Sequence, residues 1–257
     1  MTADPSQIFD QSILNNDADQ QFYILGEGSF GKVFKAIDIL TNQEVAIKQL
    51  KKSQLLTEED IANVKMEIEL LRLVSCGGSN KIKPAGELGI VKLIDSFEDD
   101  EHINIVMEYF QGQTLYQWLS DRSKGPENPH QESQLVPIFQ KVLKSLSQIH
   151  NLGIAHRDIK LDNILIRKKD GSGEENWEVK LIDFGLSAVF MPGEVSKNTQ
   201  VEHTMLNILN KPLNFNQPCW QGKSPLIKEV VARMLHKEQR KRITIEGCLK
   251  LLEEGGY

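Results

Sequence analysis

The stretch Gly26-Glu27-Gly28-Ser29-Phe30-Gly31-Lys32-Val33 decides how the amino-terminal part of the chain is interpreted. Its spacing is G-x-G-x-x-G-x-V, a pattern that taken alone is weak, because a glycine-rich turn also produces it. Short apolar runs flank the stretch on both sides, which predicts a hairpin between two antiparallel strands. A dinucleotide-binding fingerprint is disfavoured, because its glycines must open a helix. Glycines in a hairpin leave backbone N–H groups bare, so that phosphate oxygens can approach them.

Three short apolar, β-branched runs surround this hairpin and predict three antiparallel strands. They are Phe22–Leu25, Val33–Ile37 and Glu44–Ile47. Lys48 ends the third run, 17 positions after the last glycine of the hairpin (48 − 31). A lysine at a strand end is usually an edge solubiliser, but here it would point into the cleft that the glycine hairpin covers. Its compact ammonium group can hold phosphate oxygens.

The pattern after the third strand changes to helical spacing. Thr57 precedes it, and Asp60 three residues later resembles a capping box. The apolar residues that share one helix face are Ile61, Val64, Ile68 and Leu71. Residues 75–89 are small and polar and predict a loop.

The remainder of the chain alternates strands and helices, with helices dominating toward the end. The sequence predicts strands around 90–97, 102–108, Ile164–Arg167 and Trp177–Ile182, and helices over 133–150, 227–235 and 243–252. Residues 168–176 predict a charged hairpin loop, and the chain contains no internal repeat. Strands gathered first and helices gathered later indicate an α+β fold arranged in two lobes.

Two further motifs carry polar and charged side chains at fixed spacing. His156-Arg157-Asp158-Ile159-Lys160-Leu161-Asp162-Asn163 follows the long helix, and Asp183-Phe184-Gly185 follows Asn163 by 20 positions (183 − 163). Either motif alone also fits an ordinary polar loop. The glycine hairpin, the lysine strand and these two motifs in this order form the set that marks protein kinases.

The chain therefore resembles a eukaryotic-type protein kinase, and Lys160, two residues after Asp158, resembles the serine/threonine group. The resemblance implies an α+β, two-lobed protein-kinase-like fold with a β-rich N-lobe and a helical C-lobe. Residues 1–20 would be a flexible lead-in and 21–252 the kinase domain, with the N-lobe over about 21–109 and the C-lobe over about 110–252.

The family's phosphate-binding roles carry over by position. The resemblance implies that Gly26, Gly28 and Gly31 cover the phosphates of ATP. Lys48 would hold the α- and β-phosphates and would itself be positioned by a helix glutamate. Glu67 matches that glutamate best. The alternative is Glu69, which lies two positions on and therefore points elsewhere on a helix.

The catalytic and metal-binding roles carry over in the same way. Asp183 and Asn163 would each bind Mg²⁺, Asp158 would accept the proton of the substrate hydroxyl, and Lys160 would neutralise charge on the transferred phosphoryl group. Positioning and electrostatics carry this reaction, because its transition state needs little covalent help.

The adenine site follows from the same resemblance. Met107 resembles the residue that guards the adenine pocket, and Glu108 to Phe110 resemble the hinge whose backbone binds adenine. The residues that would enclose the adenine ring are Val33, Ala46 and Leu165. The residues that would stack as an apolar column between the lobes are Leu71, Leu93, Phe184 and His156. Ordinary core packing is expected of the same residues.

The chain departs from the family pattern after Gly185. The Ala-Pro-Glu motif and the helix with Asp-x-Trp that follows it cannot be found, while Lys241-Arg242-Ile243-Thr244 resembles the family's final Arg-x-Thr. Asp183 and Arg242 are only 59 positions apart (242 − 183), which indicates a missing internal block near 198–205.

The missing block has predicted physical consequences. Arg242 loses the glutamate it pairs with in the family, so it must be solvated or find another partner. The helices over 135–149 and 227–235 would leave apolar faces uncovered. Three interpretations follow: an active serine/threonine kinase, a catalytically impaired ATP-binding module that acts through partners, and a truncated kinase variant.

Composition restricts the partners and the compartment. The net charge is −6, so the broad basic surface of a nucleic-acid-binding protein is not expected. No basic start with an apolar run and no run of about 18 apolar residues is present, so neither a secretory signal nor a membrane span is expected. The three cysteines indicate a reducing compartment, cytoplasmic or nuclear. The expected partner is a protein substrate with a serine or threonine acceptor, and the existence of a regulatory partner is left open.

Overall fold

A computed structural model describes residues 24–28, 31–76, 85–122, 132–169, 176–190, 213–217 and 220–257. The chain divides into two compact units. The first comprises Met1–Trp118, His156–Arg167 and Glu178–Ala188. The second comprises Leu119–Ala155, Lys168–Trp177 and Val189–Tyr257. The segments that carry the two downstream motifs therefore belong to the same unit as the glycine hairpin and Lys48.

The first unit contains a five-stranded antiparallel sheet. Its strands are β1 (Ile24–Gly28), β2 (Gly31–Asp38), β3 (Gln43–Lys51), β4 (Leu93–Glu98) and β5 (His102–Glu108), in the spatial order β1-β2-β3-β5-β4. The predicted strands are confirmed in their described parts, except that β4 begins at Leu93 instead of near residue 90. Phe22 and Tyr23 lie outside the described residues.

One face of this sheet forms a small apolar core. Val45, Ile47 and Val106 are buried there, and Ala36 and Phe97 pack against them. Because side chains alternate along a strand, the intervening positions of β3 point to the opposite face. That opposite face carries the candidate site.

Helix α1 (Glu58–Cys76) begins where the sequence predicts. The Thr57 N–H donates to Asp60 Oδ2 at 2.9 Å, and the Asp60 N–H donates to Thr57 Oγ1 at 3.0 Å. This reciprocal capping satisfies two of the backbone donors that a helix start leaves free. Val64 and Leu71 are buried as predicted, but Ile61 is 39% exposed. The buried stripe therefore begins one turn later than the sequence predicts.

The remaining helices and strands follow in chain order. They are α2 (Ala85–Leu88), β6 (Gln113–Thr114), α3 (Leu115–Arg122), α4 (Glu132–Asn151), β7 (Ile154–Ala155), β8 (Ile164–Lys168), β9 (Trp177–Leu181), β10 (Ala188–Val189), α5 (Pro225–Met234) and α6 (Ile245–Glu254). Strands β6, β8 and β9 form a three-stranded sheet in that order. The strand-rich start and helix-rich end confirm the α+β fold class.

Two of these helices differ from the sequence prediction. Helix α2 lies inside 75–89, which the sequence predicts as a loop, and α3 is not predicted at all. The start of α3 has a local cause. The Thr114 N–H donates to Gln117 Oε1 at 3.0 Å, and the Gln117 N–H donates to Thr114 Oγ1 at 3.1 Å. A Thr-x-x-Gln capping box therefore opens α3.

The second unit has its own core, formed by helices α4, α5 and α6. Its buried members are Val136, Leu143, Val230, Cys248 and Leu252. The expectation that the face of α4 would be uncovered is therefore wrong, because α6 packs against α4. On α5, Val230 is buried, whereas Leu235, directly after the helix, is 58% exposed.

Arg242 finds a new partner within the second unit. Its Nε donates to the backbone carbonyl of His236 at 2.8 Å, and the side chain lies at the surface. The cost of a buried unpaired charge therefore does not arise. The lead-in over 1–20 and the predicted junction near 198–205 lie outside the described residues.

No helix in the described part of the chain is both long enough and apolar enough to cross a membrane.

Candidate active site

The register of the sheet brings several predicted site residues to one face. Val33 lies opposite Lys48, and Ala46 lies opposite Met107. Lys48 also lies opposite Ile105 on β5. Directly opposed residues of antiparallel strands share a face of the sheet. The predicted phosphate-binding lysine and three predicted adenine-site residues are therefore neighbours.

Lys48 Nζ lies at the centre of an ionic cluster. It donates to Glu67 Oε1 at 2.7 Å, to Glu67 Oε2 at 2.9 Å and to Asp183 Oδ1 at 3.0 Å. Glu67 comes from α1 and is only 2% exposed. Strand β3, helix α1 and the segment after β9 therefore meet at one ammonium group. The alternative glutamate, Glu69, points away and forms an exposed ion pair with Arg72.

Burial and charge act in opposite directions on this cluster. Burial alone would lower the pKa of Lys48, but the carboxylates of Glu67 and Asp183 outweigh it and raise the pKa. Burial raises the pKa of Glu67 above its ordinary value in spite of Lys48. Burial also opposes ionisation of Asp183, but Lys48 outweighs it and lowers the pKa of that carboxyl. The Lys48 ammonium group therefore stays protonated beside an ionised Asp183 carboxylate.

The second motif forms a polar cluster around Asp158. Asp158 Oδ2 accepts from Lys160 Nζ at 2.7 Å and from Asn163 Nδ2 at 2.9 Å. Asn163 Nδ2 also donates to the backbone carbonyl of Asp158 at 2.9 Å, and Asn163 is buried. The hydrogen bond to Asp158 raises the pKa of the Lys160 ammonium. The predicted base, its neighbouring cation and one predicted metal ligand are therefore in direct contact.

A backbone hydrogen bond joins this cluster to the first one. The Ile182 N–H donates to the Asn163 carbonyl at 3.1 Å, and Ile182 directly precedes Asp183. The two predicted metal-binding residues, Asn163 and Asp183, are thereby held on adjoining backbone segments. Lys48 contacts Asp183 directly, so the three groups on which the sequence interpretation depends lie in one region of the first unit.

His156 connects the two motifs through hydrogen bonds. Its Nε2 lies 3.1 Å from the Ile182 carbonyl and its Nδ1 accepts from the Asp158 N–H at 3.3 Å, so the Nε2 proton donates. Its ring lies 4.8 Å from the ring of Phe184, which is fully buried. Burial lowers the pKa of His156, in keeping with this neutral form. Leu71 and Leu93, the other members of the predicted apolar column, are buried as well.

Two non-glycine residues of the site adopt left-handed backbone conformations. The φ angles are 65° at Arg157 and 64° at Asp183. Such conformations cost about 1–3 kcal/mol each and persist only where the surrounding structure holds them. Strain of this kind is common at functional sites. It is stored here at the residue before Asp158 and at Asp183 itself.

The three glycines of the hairpin differ in whether packing explains the lack of a side chain. A Cβ at Gly31 would lie 1.8 Å from the backbone carbonyl oxygen of Gln49, so packing between β2 and β3 alone requires glycine there. Among the described residues, a Cβ at Gly26 would meet nothing within 4 Å, and one at Gly28 would meet the Gly31 carbonyl oxygen at 4.0 Å. Contacts with the described part of the chain therefore do not explain Gly26 and Gly28.

Gly185 lies close against the ionic cluster. A Cβ at this position would lie 3.3 Å from Asp183 Oδ1 and 3.4 Å from Glu67 Oε2. A side chain here would press on both carboxylates that hold Lys48. The glycine of Asp183-Phe184-Gly185 thus allows the close approach of α1 to the motif.

The predicted hinge, Glu108 to Phe110, begins at the end of β5. The Glu108 N–H donates to the Lys92 carbonyl at 2.9 Å, and Glu108 Oε1 accepts from the Lys92 N–H at 2.8 Å. The same carboxylate oxygen forms an ion pair with Lys180 of β9, a lysine that the sequence analysis did not single out. Its position inside an apolar strand, three residues before Asp183, is the signal that could have identified it.

The other predicted adenine-site residues are partly or fully buried. Ala46, Met107 and Phe110 are buried, whereas Val33 and Leu165 are half-buried. The guanidinium carbon of Arg167 lies 4.6 Å from the centre of the Phe110 ring, which fixes the far end of the hinge.

The metal ligands that the resemblance implies are Asp183 and Asn163. Within the described part of the chain, no group of three or more histidine, cysteine, aspartate or glutamate side chains could hold a metal ion. Asp183 and Asn163 supply one carboxylate and one amide. That donor set suits Mg²⁺, which binds through one or two carboxylates together with substrate phosphates and waters.

Comparison with known proteins identifies the family. The family model for the protein kinase domain matches residues 20–204. The chain belongs to this family, and its fold is that of a serine/threonine kinase catalytic domain. Members of the family in general use ATP and Mg²⁺.

Several curated relatives are plant kinases. Calcium-dependent protein kinase 7 of Oryza sativa subsp. japonica is 33% identical over 171 residues, which is 66% of this chain and 28% of the relative. Calcium-dependent protein kinase 6 of Arabidopsis thaliana is 32% identical over 174 residues, 68% of this chain and 28% of the relative. Calcium-dependent protein kinase 6 of Oryza sativa subsp. japonica is 31% identical over 267 residues, 88% of this chain and 46% of the relative. The chain thus spans less than half the length of these relatives.

Proposed function

We propose that this chain binds ATP with magnesium and transfers the γ-phosphoryl group to a serine or threonine hydroxyl of a protein substrate. The single observation that carries the proposal is the contact of Lys48 Nζ with both Glu67 and Asp183. Phosphoryl transfer in kinases requires an ion pair between a strand lysine and a helix glutamate, and Lys48 and Glu67 form such a pair beside Asp183. Family membership supports the reaction class.

The residues of the site have distinct proposed roles. Lys48 holds the α- and β-phosphates, and Glu67 keeps its ammonium in place. The hairpin glycines Gly26 and Gly28 admit the phosphates to the backbone N–H groups, because neither carries a side chain and no side chain of the described residues lies within 4 Å of where their Cβ atoms would be. Gly31, which packing requires, keeps the hairpin close to β3.

The acceptor side of the reaction falls to the second motif. Asp158 accepts the proton of the substrate hydroxyl, and Lys160, 2.7 Å from that carboxylate, offsets charge on the transferred group. Asn163 and Asp183 would hold Mg²⁺, which when bound neutralises phosphate charge. Met107, the Glu108–Phe110 hinge, Val33, Ala46 and Leu165 enclose the adenine ring.

A missing internal block is also part of the proposal. The relative that aligns over 267 residues covers 88% of this chain, which is about 226 of its 257 residues. About 41 aligned positions (267 − 226) therefore face no residue here. This supports a missing block, and its proposed place near 198–205 includes residue 204, where the match to the family model stops. The substrate-docking part of the family would be reduced accordingly.

The proposed location is intracellular, in the cytoplasm or nucleus. Cys248, which is described, is a free and buried thiol, and free thiols are typical of reducing compartments. The protein substrate and any regulatory partner are proposed by class alone.

Equilibrium titration of the purified chain with ATP, with and without Mg²⁺, tests the nucleotide site. We expect saturable binding that Mg²⁺ strengthens and that Lys48→Met weakens, because the ammonium group is lost. Lys52→Met is the matched control, since Lys52 pairs with Glu98 at the surface. Absence of saturable binding, or an affinity that Lys48→Met leaves unchanged, would refute the proposal.

A phosphotransfer assay with serine/threonine substrates tests the reaction. We expect Asp158→Asn to abolish transfer while ATP affinity is retained, because the carboxylate acts on the acceptor hydroxyl. If the unmodified chain binds ATP but transfers no phosphoryl group, the catalytically impaired module is favoured instead. Sequencing the transcript across Asn198–Met205 distinguishes a genuine gap from a truncated variant.

A further inference from the structure

Lys180 is a deeply buried cation that the proposed reaction does not use. It is 4% exposed and lies on β9 between the buried apolar residues Val179 and Leu181. Its ammonium group forms an ion pair with Glu108, the first residue of the hinge. A lysine is costly to bury unless it is paired, and an apolar residue would fill this position at lower cost. Packing alone therefore does not account for it.

The ion pair completes a closed arrangement of three chain segments. Glu108 is joined to Lys92 in both directions, through its N–H and through its carboxylate. The segment before Lys92 is joined to β9, because the Leu181 N–H donates to the Gly89 carbonyl at 2.8 Å and the Val91 N–H donates to the Leu181 carbonyl at 3.1 Å. The Lys180 side chain supplies the third side by linking β9 directly to the hinge.

The two ends of this link lie at the two ends of the nucleotide site. Glu108 begins the segment proposed to bind adenine, whereas β9 leads within three residues to Asp183, proposed to bind Mg²⁺. Lys180 Nζ also lies 5.9 Å from the centre of the Phe110 ring, so it approaches the hinge at both of its ends. A change at Lys180 would therefore shift the hinge relative to β9, the strand that leads to Asp183.

We infer that Lys180 is a positioning residue for adenine recognition, which sets the place of the Glu108–Phe110 hinge relative to β9. The inference rests on the proposed nucleotide site and names the group that orients its adenine end. Lys180 touches neither substrate nor metal in this account. It acts through Glu108.

Calorimetric titration of the full chain with adenosine and with ATP tests the inference. We expect Lys180→Met to weaken the binding of both ligands by the same factor, about tenfold, because a hydrogen bond to a charged group that orients the hinge is lost. Lys48→Met should weaken ATP binding and leave adenosine binding unchanged, because Lys48 serves the phosphates. Lys52→Met, which removes an exposed paired lysine, should change neither.

Hydrogen exchange of the nucleotide-free chain gives a readout that a general loss of stability would not produce. We expect faster exchange at Lys92 and over 108–110 in Lys180→Met, with the exchange of β2 unchanged. Faster exchange throughout the sheet would show a merely structural role and would overturn the inference. Lys180→Arg, which retains the charge, should restore the adenosine affinity and the protected hinge.

A milder variant covers the case in which Lys180→Met does not fold. Lys180→Gln keeps a donor toward Glu108, and we expect a smaller loss that is again equal for adenosine and ATP. Unchanged adenosine affinity in a folded Lys180 variant, or a loss confined to ATP, would overturn the inference while the proposed function stands. If the unmodified chain binds neither adenosine nor ATP, both the inference and the proposed function fail.

Discussion

The choice between two glutamates two positions apart illustrates what single residues contribute to this site. Glu67 is buried and contacts Lys48, whereas Glu69 is exposed and pairs with Arg72. Both lie on α1, and the rotation of the helix decides which one faces β3. The sequence analysis favours Glu67 and leaves Glu69 open. The contact with Lys48 shows that Glu67 is the glutamate beside the lysine, while the catalytic role of Glu67 stays a proposal.

Substitution of Glu67 by Gln should separate the two glutamates in function. We expect Glu67→Gln to lower phosphotransfer by about 100-fold, since a small displacement of a positioned group has effects of this order. Steady-state kinetics with varied ATP measures the change. Glu69→Gln removes the same charge from the same helix and should leave the kinetics unchanged. Equal losses in the two variants would contradict the assignment of Glu67.

The buried neutral form of His156 predicts a dependence of stability on pH. Burial holds the pKa of His156 below its ordinary value of about 6.5, so the unfolded chain binds the proton more tightly. The stability that this group contributes is complete above about pH 6.5 and is lost as the pH falls through the lower pKa of the folded state. The free energy of unfolding should therefore fall from pH 6.5 toward pH 5.

Urea denaturation at each pH measures this dependence. We expect His156→Gln to reduce the slope. Part of the slope should remain in His156→Gln, because burial also lowers the pKa of His150. A slope that is identical in His156→Gln and the unmodified chain would show that His156 does not titrate differently on folding.

At the scale of elements, capping residues decide where the helices begin. The reciprocal bonds of Thr57 and Asp60 open α1, and those of Thr114 and Gln117 open α3. The first of these boxes is predicted from the sequence. The second has the same signature, but α3 is short and contributes too few periodic positions for its helical pattern to stand out.

Loss of the first cap should have a measurable cost. We expect Thr57→Ala to lower the free energy of unfolding by about 1 kcal/mol, because the Asp60 N–H at the helix start loses its acceptor, Thr57 Oγ1. Urea denaturation measures the change. Ser53→Ala is the matched control, since it removes a hydroxyl from an exposed position four residues earlier. A Thr57 effect no larger than the Ser53 effect would mean that the box adds nothing to stability.

At the scale of the whole molecule, hydrogen bonds join residues that lie far apart in the sequence within one unit. In the second unit, Glu132 at the start of α4 accepts from the Ser224 N–H at 2.7 Å and from the Tyr257 hydroxyl at 2.8 Å. Residues separated by 92 and 125 positions thus meet at one carboxylate. These bonds lower the pKa of Glu132 in spite of its partial burial, which opposes ionisation.

Removal of the Tyr257 hydroxyl tests how much its hydrogen bond to Glu132 contributes to stability. We expect Tyr257→Phe to lower the free energy of unfolding by about 1 kcal/mol, because a hydrogen bond to a charged group is lost. The exposed Tyr116 offers a control, and Tyr116→Phe should have no effect. Thermal denaturation of both variants gives the comparison, and equal melting temperatures in the two would contradict a closing role for Tyr257.

The sequence alone determined the order of motifs, the α+β class, the kinase resemblance and most strand and helix positions. These features depend on spacing and periodicity, which are local and therefore legible along the chain. Only the tertiary structure decided that Glu67 meets Lys48, that Lys180 pairs with Glu108, that Arg242 bonds to the His236 carbonyl and that α6 covers α4. Each of these joins side chains or elements whose mutual placement depends on how helices and strands rotate and pack. No local pattern encodes that placement.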